Sequence, residues 1–305
     1  VRLVDNTTLC YTTGSFQILV NPSPTIEDIN DLVFCDQDTD GLISGIDLES
    51  TIPTILGALD PANYSVSFHS SLEQATSGTD PIQSPFANTN PFSQEIFVRL
   101  VDNTTLCYTT GSFQILVNPS PTIENINDLV FCDDSLDGDD GNGFVQNIDL
   151  ESLVIPILGD TQSPTNFIVT FHETFEDASS GTNSLSSPYS NTIAFEQLLF
   201  IRVEDKTTGC FRISRKVRIV VSPLPQFDVI TPQFICVGED ALELGVEDPE
   251  GTYDYFWIDA NGNTILGETI TVTSGGTYSV TATNIDGSNC SKTYDIFVSE
   301  SSVPI

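Results

Sequence analysis

The sequence predicts an all-β protein, a row of tandem immunoglobulin-like antiparallel β-sandwich domains with only short helical turns. Three observations lead there. Residues 1–36, VRLVDNTTLCYTTGSFQILVNPSPTIEDINDLVFCD, recur as 98–133 with Asp28 replaced by Asn125, and a weaker copy starts at Ile201. The repeating unit is thus one domain of immunoglobulin size, not a short solenoid turn. Within it, short runs alternate apolar and polar residues at period two, the spacing that lets one face of a strand be buried. A Pro-x-Pro element closes each copy at Pro22 and Pro24, Pro119 and Pro121, and Pro223 and Pro225. Proline fixes φ and lacks a donor, so each pair ends a strand and stiffens the joint to the next domain.

Taken in order, residues 1–25 read as the C-terminal hairpin of a preceding repeat, 26–122 and 123–222 as two complete repeats, and 223–305 as a distinct domain. Strands are expected at Tyr64, Val66 and Phe68, at Ile96, Val98 and Leu100, and at Phe113, Ile115 and Val117. Phe167, Val169 and Phe171 are the second-repeat counterparts of the first of these. Asp47 and Asp149 are placed to cap a turn beginning Leu-Glu-Ser, which Pro53 and Pro156 keep short. Two more turns run from Ser71 to Gly78 and Thr174 to Gly181, with a hydroxyl at the N-cap and Gly beyond the end. In the last domain, Cys236, Trp257 and Tyr278 follow the immunoglobulin order of Cys, core Trp and late Tyr, with Cys290 displaced to the final hairpin. Asn261-Gly262 marks a hairpin turn.

The 305 residues hold 43 Asp and Glu against 9 Lys and Arg, a net charge of −34. That excludes nucleic acid and anionic membranes as partners, since both bind through clustered Lys and Arg. A hydrophobic fraction of 39%, with 19 Phe and 8 Tyr, is too apolar for a disordered acidic tail, so the charge sits on folded domains. The chain has no Met and begins at Val1 without a signal-peptide pattern, and it reads as an interior piece of a longer protein. No run approaches the roughly 20 apolar residues that span a bilayer.

Of seven cysteines, each full unit has one near its first strand and one between its last two strands. The parsimonious pairing is Cys35 with Cys107, Cys132 with Cys210, and Cys236 with Cys290, which leaves Cys10 for an upstream partner. Free buried thiols are the competing reading. Regular placement favours bridges and therefore an oxidising compartment.

After Cys35, the series Asp36, Asp38, Asp40, Gly41, Ile43 and Asp47 has the spacing of a calcium loop. Alternate carboxylates turn onto one hard cation and Gly permits the bend. A strand, not a helix, precedes it, so this is no true EF-hand. In the second repeat Asp140, Asn142, Gly143, Val145 and Asp149 keep the later positions, and Asp133, Asp137 or Asp139 has to stand in for the first. The expected cofactor is calcium; the alternative is an acidic solvated turn.

Catalytic signatures are missing. His69 and His172 lie a domain apart and fit conformational roles, and none of the nucleophile, zinc-protease, P-loop or dinucleotide motifs occurs. The reading is no enzyme. Near-identical tandem copies suit a protein whose useful property is length or many weak contacts.

VRxxDxTTxC, VNPxPTI, LVFCD with its Asp-rich loop, DLES, the FHxS/T strand end and the SGT turn together resemble the tandem repeats of large Bacteroidota surface adhesins, the SprB-type gliding-motility adhesins above all. The segment GGTYSVTATNxxGxxC is similar to the immunoglobulin or PKD-like domain that precedes their sorting signal. The resemblance implies type 9 secretion, display at the cell surface, a role in adhesion or gliding, and the secretion and gliding machinery as partners beside neighbouring repeats. The alternative function is that each repeat is a glycan-binding module, with surface glycans as ligands.

Overall fold

The computed structural model describes residues 1–237 and 241–301. The chain divides into two compact units, 1–120 and 121–305. In the first, β1 (Arg2–Val4) and β2 (Tyr11–Thr13) form a small antiparallel hairpin. The repeat follows as β3 (Leu32–Asp36), α1 (Ile52–Leu56), β4 (Tyr64–His69), α2 (Leu72–Ser77), β5 (Ser93–Asp102) and β6 (Tyr108–Pro119). These strands make one sheet in the order β3-β6-β5-β4, in which β3 runs parallel to β6 and the other pairs are antiparallel.

The period-two pattern sets the inner face. Ile96, Val98 and Leu100 on β5 and Phe113, Ile115 and Val117 on β6 are all buried. Opposite them the second layer is thin, built from a single antiparallel bridge between Ile46 and Phe86, the 3-10 turn Glu49–Thr51 and α1, with Leu48 and Ile55 fully buried. Pro53 lies in the first turn of α1, where its missing donor is tolerated, and it is Gly57, at φ 53°, that ends the helix after five residues, so the expected limit at Pro53 is corrected. Helix α2 is capped by Ser71, whose hydroxyl accepts from Gln74 N, and ends at Gly78 with φ 73°.

The second unit repeats the plan with β7 (Leu129–Cys132), α3 (Val154–Leu158), β8 (Phe167–His172), α4 (Phe175–Ser180), β9 (Glu196–Asp205) and β10 (Phe211–Ser222), in the order β7-β10-β9-β8. A second core in this unit is a fuller sandwich. Strands β11 (Asp228–Val229), β13 (Leu242–Glu247) and β16 (Thr269–Val272) form one sheet; β12 (Gln233–Cys236), β14 (Tyr253–Ile258), β15 (Thr264–Leu266), β17 (Gly276–Asn284) and β18 (Ser291–Ser301) form the other. Trp257 is completely buried between them, its indole donating to Gly267 O, and Tyr278 donates to Ser274 O. The protein is all-β with immunoglobulin-like domains in tandem and only short helices.

His69 and His172 are fully buried. Nδ1 of each lies 2.8 Å from the carbonyl of Thr79 or Thr182, and Nε2 faces the hydroxyl of Ser67 or Thr170. A carbonyl only accepts, so Nδ1 carries the proton and Nε2 accepts. The ring ties the end of its strand to the loop after the following helix.

The inter-domain clamp and the acidic loops as candidate functional site

Strand β7 ends in Cys132 beside Ser222, near the end of β10. Cys210 immediately precedes the start of β10 at Phe211. A strand rises about 3.3 Å per residue, so the two cysteines stand roughly 40 Å apart at opposite ends of one sheet. A disulfide needs Cα atoms within about 7 Å. The same register places Cys35 beside Asn118 while Cys107 precedes β6, and Cys236 beside Ser301 while Cys290 precedes β18. Bridges within a domain are therefore excluded, and all three expected pairings are corrected. Cys132 is bonded to Cys290 of the following domain, with Cα atoms 5.4 Å apart and 158 residues between them in sequence. Cys35 and Cys210 are also disulfide-bonded. Cys107, half-buried with its thiol 3.8 Å from Asn21 O, and Cys236 and Cys10, both exposed, are free thiols.

Around the Cys132–Cys290 bridge the two domains of the second unit are joined by polar contacts. Lys292, two residues beyond the cysteine, places Nζ 2.8 Å from Asp140 Oδ2, with only 20% and 17% of the two side chains exposed. Gln226 donates to Asp140 Oδ1 at 2.9 Å, Leu224 N to Asp140 O at 2.9 Å, and Asn284 Nδ2 to Pro223 O at 2.8 Å. Burial opposes the charge on Asp140, but the Lys292 and Gln226 hydrogen bonds prevail and hold its carboxyl below the usual range. Burial likewise opposes the charge on Lys292, and Asp140 more than offsets it.

A single family model matches residues 31–121 and again 128–225: the Flavobacterium inter-domain disulphide bond domain. The chain belongs to this family. Its two copies of the inter-domain disulphide bond domain supply the strand cysteines Cys35 and Cys132. No match is found among the curated proteins. Solved structures similar to the chain include titin domains I67–I69, at 9% identity with TM-score 0.33, covering 92% of this chain and 100% of that one. The three N-terminal domains of the bacteriophage RB49 highly immunogenic outer capsid protein are similar at 11% identity, TM-score 0.29, over 79% and 89%.

In the first copy of the inter-domain disulphide bond domain, the acidic loop begins with Asp36, 1% exposed, whose Oδ1 accepts from Asp38 N at 3.0 Å and Oδ2 from Gly41 N at 2.6 Å. Gly41 is required: at φ 80° a Cβ would lie 2.7 Å from Phe92 N. Asn88 braces the turn by donating to Gly41 O and accepting from Ile43 N. Asp36, Asp38 and Asp40 each bring a carboxylate oxygen within 4.8 Å of the others, the group of this kind among the described residues. A hydrogen bond shared with Asp36, then the charges of Asp40 and Asp36, push the Asp38 carboxyl up. Asp47 stands apart from this group, accepting from Ser50 N and Ser84 Oγ ahead of the 3-10 turn.

In the second copy Asp133 takes the place of Asp36, with Oδ2 accepting from Gly143 N at 2.6 Å. Asp140 faces Lys292, Asn142 accepts from Phe144 N and donates to Asp137, and Asp149 accepts from Ser152 N and Ser187 Oγ. Asp140, Asn142 and Asp149, expected as one ligand set, are thus each engaged separately. Sequence reasoning overlooked Lys292 and Gln226, whose signal was a lone basic residue two positions after a hairpin cysteine in a chain with 9 basic residues.

Proposed function

We propose that this chain is a non-enzymatic stalk segment of an exported bacterial surface protein of the adhesion or gliding type, stiffened by a covalent tie between neighbouring domains. The Cys132–Cys290 bridge carries this reading, because it joins one domain to another and adds nothing a catalytic centre needs. Disulfides persist in oxidising compartments, which supports export to the cell surface. Calcium at Asp36, Asp38 and Asp40 would relieve the repulsion among three converging carboxylates and stiffen that loop.

Stretching single molecules tests the stalk reading. The segment between Cys132 and Cys290 corresponds to about 55 nm of extended chain. Under oxidising conditions that length should stay hidden, and a reductant should release it. Its full release without reductant would refute the covalent stalk.

A further inference from the structure

One edge of the last sandwich is open. Strand β15 pairs with β14 only from Phe256 to Ile258, and the next bond along, from Gly267 N to Tyr255 O, is the last before the chain leaves for the other sheet. In an antiparallel strand the N–H and C=O of alternate residues point the same way, so those of Tyr253 face the edge that β15 has left. At that point β14 has, among the described residues, β17 alone as a neighbour. A cleft of about 450 Å³ lies here, lined by Tyr253, Asp254, Tyr255, Leu266, Gly267 and Glu268.

The lining is acidic and aromatic, with no Lys or Arg. Asp254 and Glu268 are exposed, and among the described residues neither carboxylate has a hydrogen bond or an ion pair. Tyr253 and Tyr255 meet edge to face with ring centroids 6.1 Å apart, and Leu266 is 81% exposed. Tyr255 is only 8% exposed, yet its buried hydroxyl has no hydrogen-bond partner. An unpaired buried hydroxyl destabilises a fold, so a ligand that pairs it is favoured. Burial, then the charge of Glu268, pushes that hydroxyl's pKa up, which puts the carboxylate within electrostatic reach of it. These groups suit a cation on an apolar stem. An ammonium donates to carboxylates and to a tyrosine oxygen and is drawn to aromatic faces, while its methylenes cover apolar side chains. The net charge of −34 attracts such a ligand and repels an anion.

We propose that this edge binds a basic peptide: an extended segment adds as a strand beside Tyr253 and seats one lysine in the cleft, its stem against Leu266 and Tyr253 and its ammonium held by Glu268 and the Tyr255 hydroxyl. Strand addition supplies main-chain hydrogen bonds, and the cleft selects the side chain. The inference goes beyond the stalk reading and does not depend on it.

Fluorescence anisotropy of a labelled Thr-Val-Lys-Val-Thr peptide, titrated with the full oxidised chain, tests it. Wild-type binding should saturate and weaken with added salt. Glu268→Gln and Tyr255→Phe should each weaken it about tenfold, as should norleucine in place of the lysine. Glu49→Gln, which removes an exposed carboxylate of the first repeat, should bind as the wild type does. Absence of saturable binding would overturn the proposal, and so would equal affinity for the norleucine peptide or in Glu268→Gln. A loss as large in Glu49→Gln would do the same, since it would show diffuse attraction to an acidic chain. Tyr255→Phe that melts higher and binds unchanged would show a hydroxyl that meets no ligand, and the proposal would fall. Should Tyr255→Phe fail to fold, the exposed Glu268→Gln decides.

Discussion

At the scale of single residues, His172 makes stability depend on pH. Burial, aided by the charge of Arg202, lowers its pKa below the ordinary 6.5 against the opposing pull of Thr182 and Asp177. Below about pH 6.5 the unfolded chain therefore binds the proton that the folded chain refuses, and stability falls as pH falls; above that value its contribution is fully present. Thermal melts between pH 7 and 5 should show a smaller acid-side loss for His172→Gln than for the wild type, and parallel curves would rule the histidine out. Lys292 offers a second case. Its ion pair is about four-fifths removed from solvent, so Lys292→Ala should destabilise the second unit by about 1–3 kcal/mol. Denaturant titrations of Lys292→Ala, Asp140→Ala and the double variant would check it, and additive losses would show that the pair is not coupled.

At the scale of elements, identical sequence meets two fates. GSFQILVNP is strand at 111–119, between β3 and β5, with Phe113, Ile115 and Val117 buried. At 14–22 it forms no strand and leaves Phe16, Ile18 and Val20 exposed. Period two announces which face would be buried, but a partner strand must be present to bury it. For the same reason strands and turn ends were legible from alternation, proline and caps, whereas the parallel pairing of β3 with β6 was not. That pairing decides the cysteines, because it sets Cys35 and Cys107 at opposite ends of β6; proximity in the sequence pointed the other way. The acidic loops were legible as clusters and Asp47 and Asp149 as caps of the turns that follow them, but not that Asp140 serves a lysine. Mass spectrometry of a non-reduced digest should recover Cys132 linked to Cys290, with three alkylatable thiols at Cys10, Cys107 and Cys236. A peptide linking Cys132 to Cys210 would contradict the register.

At the scale of the whole molecule, a net charge of −34 is spread over repeated domains, which disfavours condensation of neighbours and keeps a long chain soluble. Covalent ties counter that repulsion where domains must stay in contact. Closing a loop of 158 residues stabilises by about 5 kcal/mol in the chain-entropy treatment, comparable with the whole stability of a small domain. Such a molecule also tolerates proteases in an unusual way. A peptide bond cleaved anywhere between Cys132 and Cys290 leaves the two fragments fastened to each other, so the cut does not sever whatever lies on either side. A chain nicked once in that interval should migrate as a single species on a denaturing gel and split in two only after reduction; separation before reduction would show that the bridge does not hold the halves. For a protein exposed to the enzymes of its surroundings, one bond between sulfur atoms does the work of a redundant backbone.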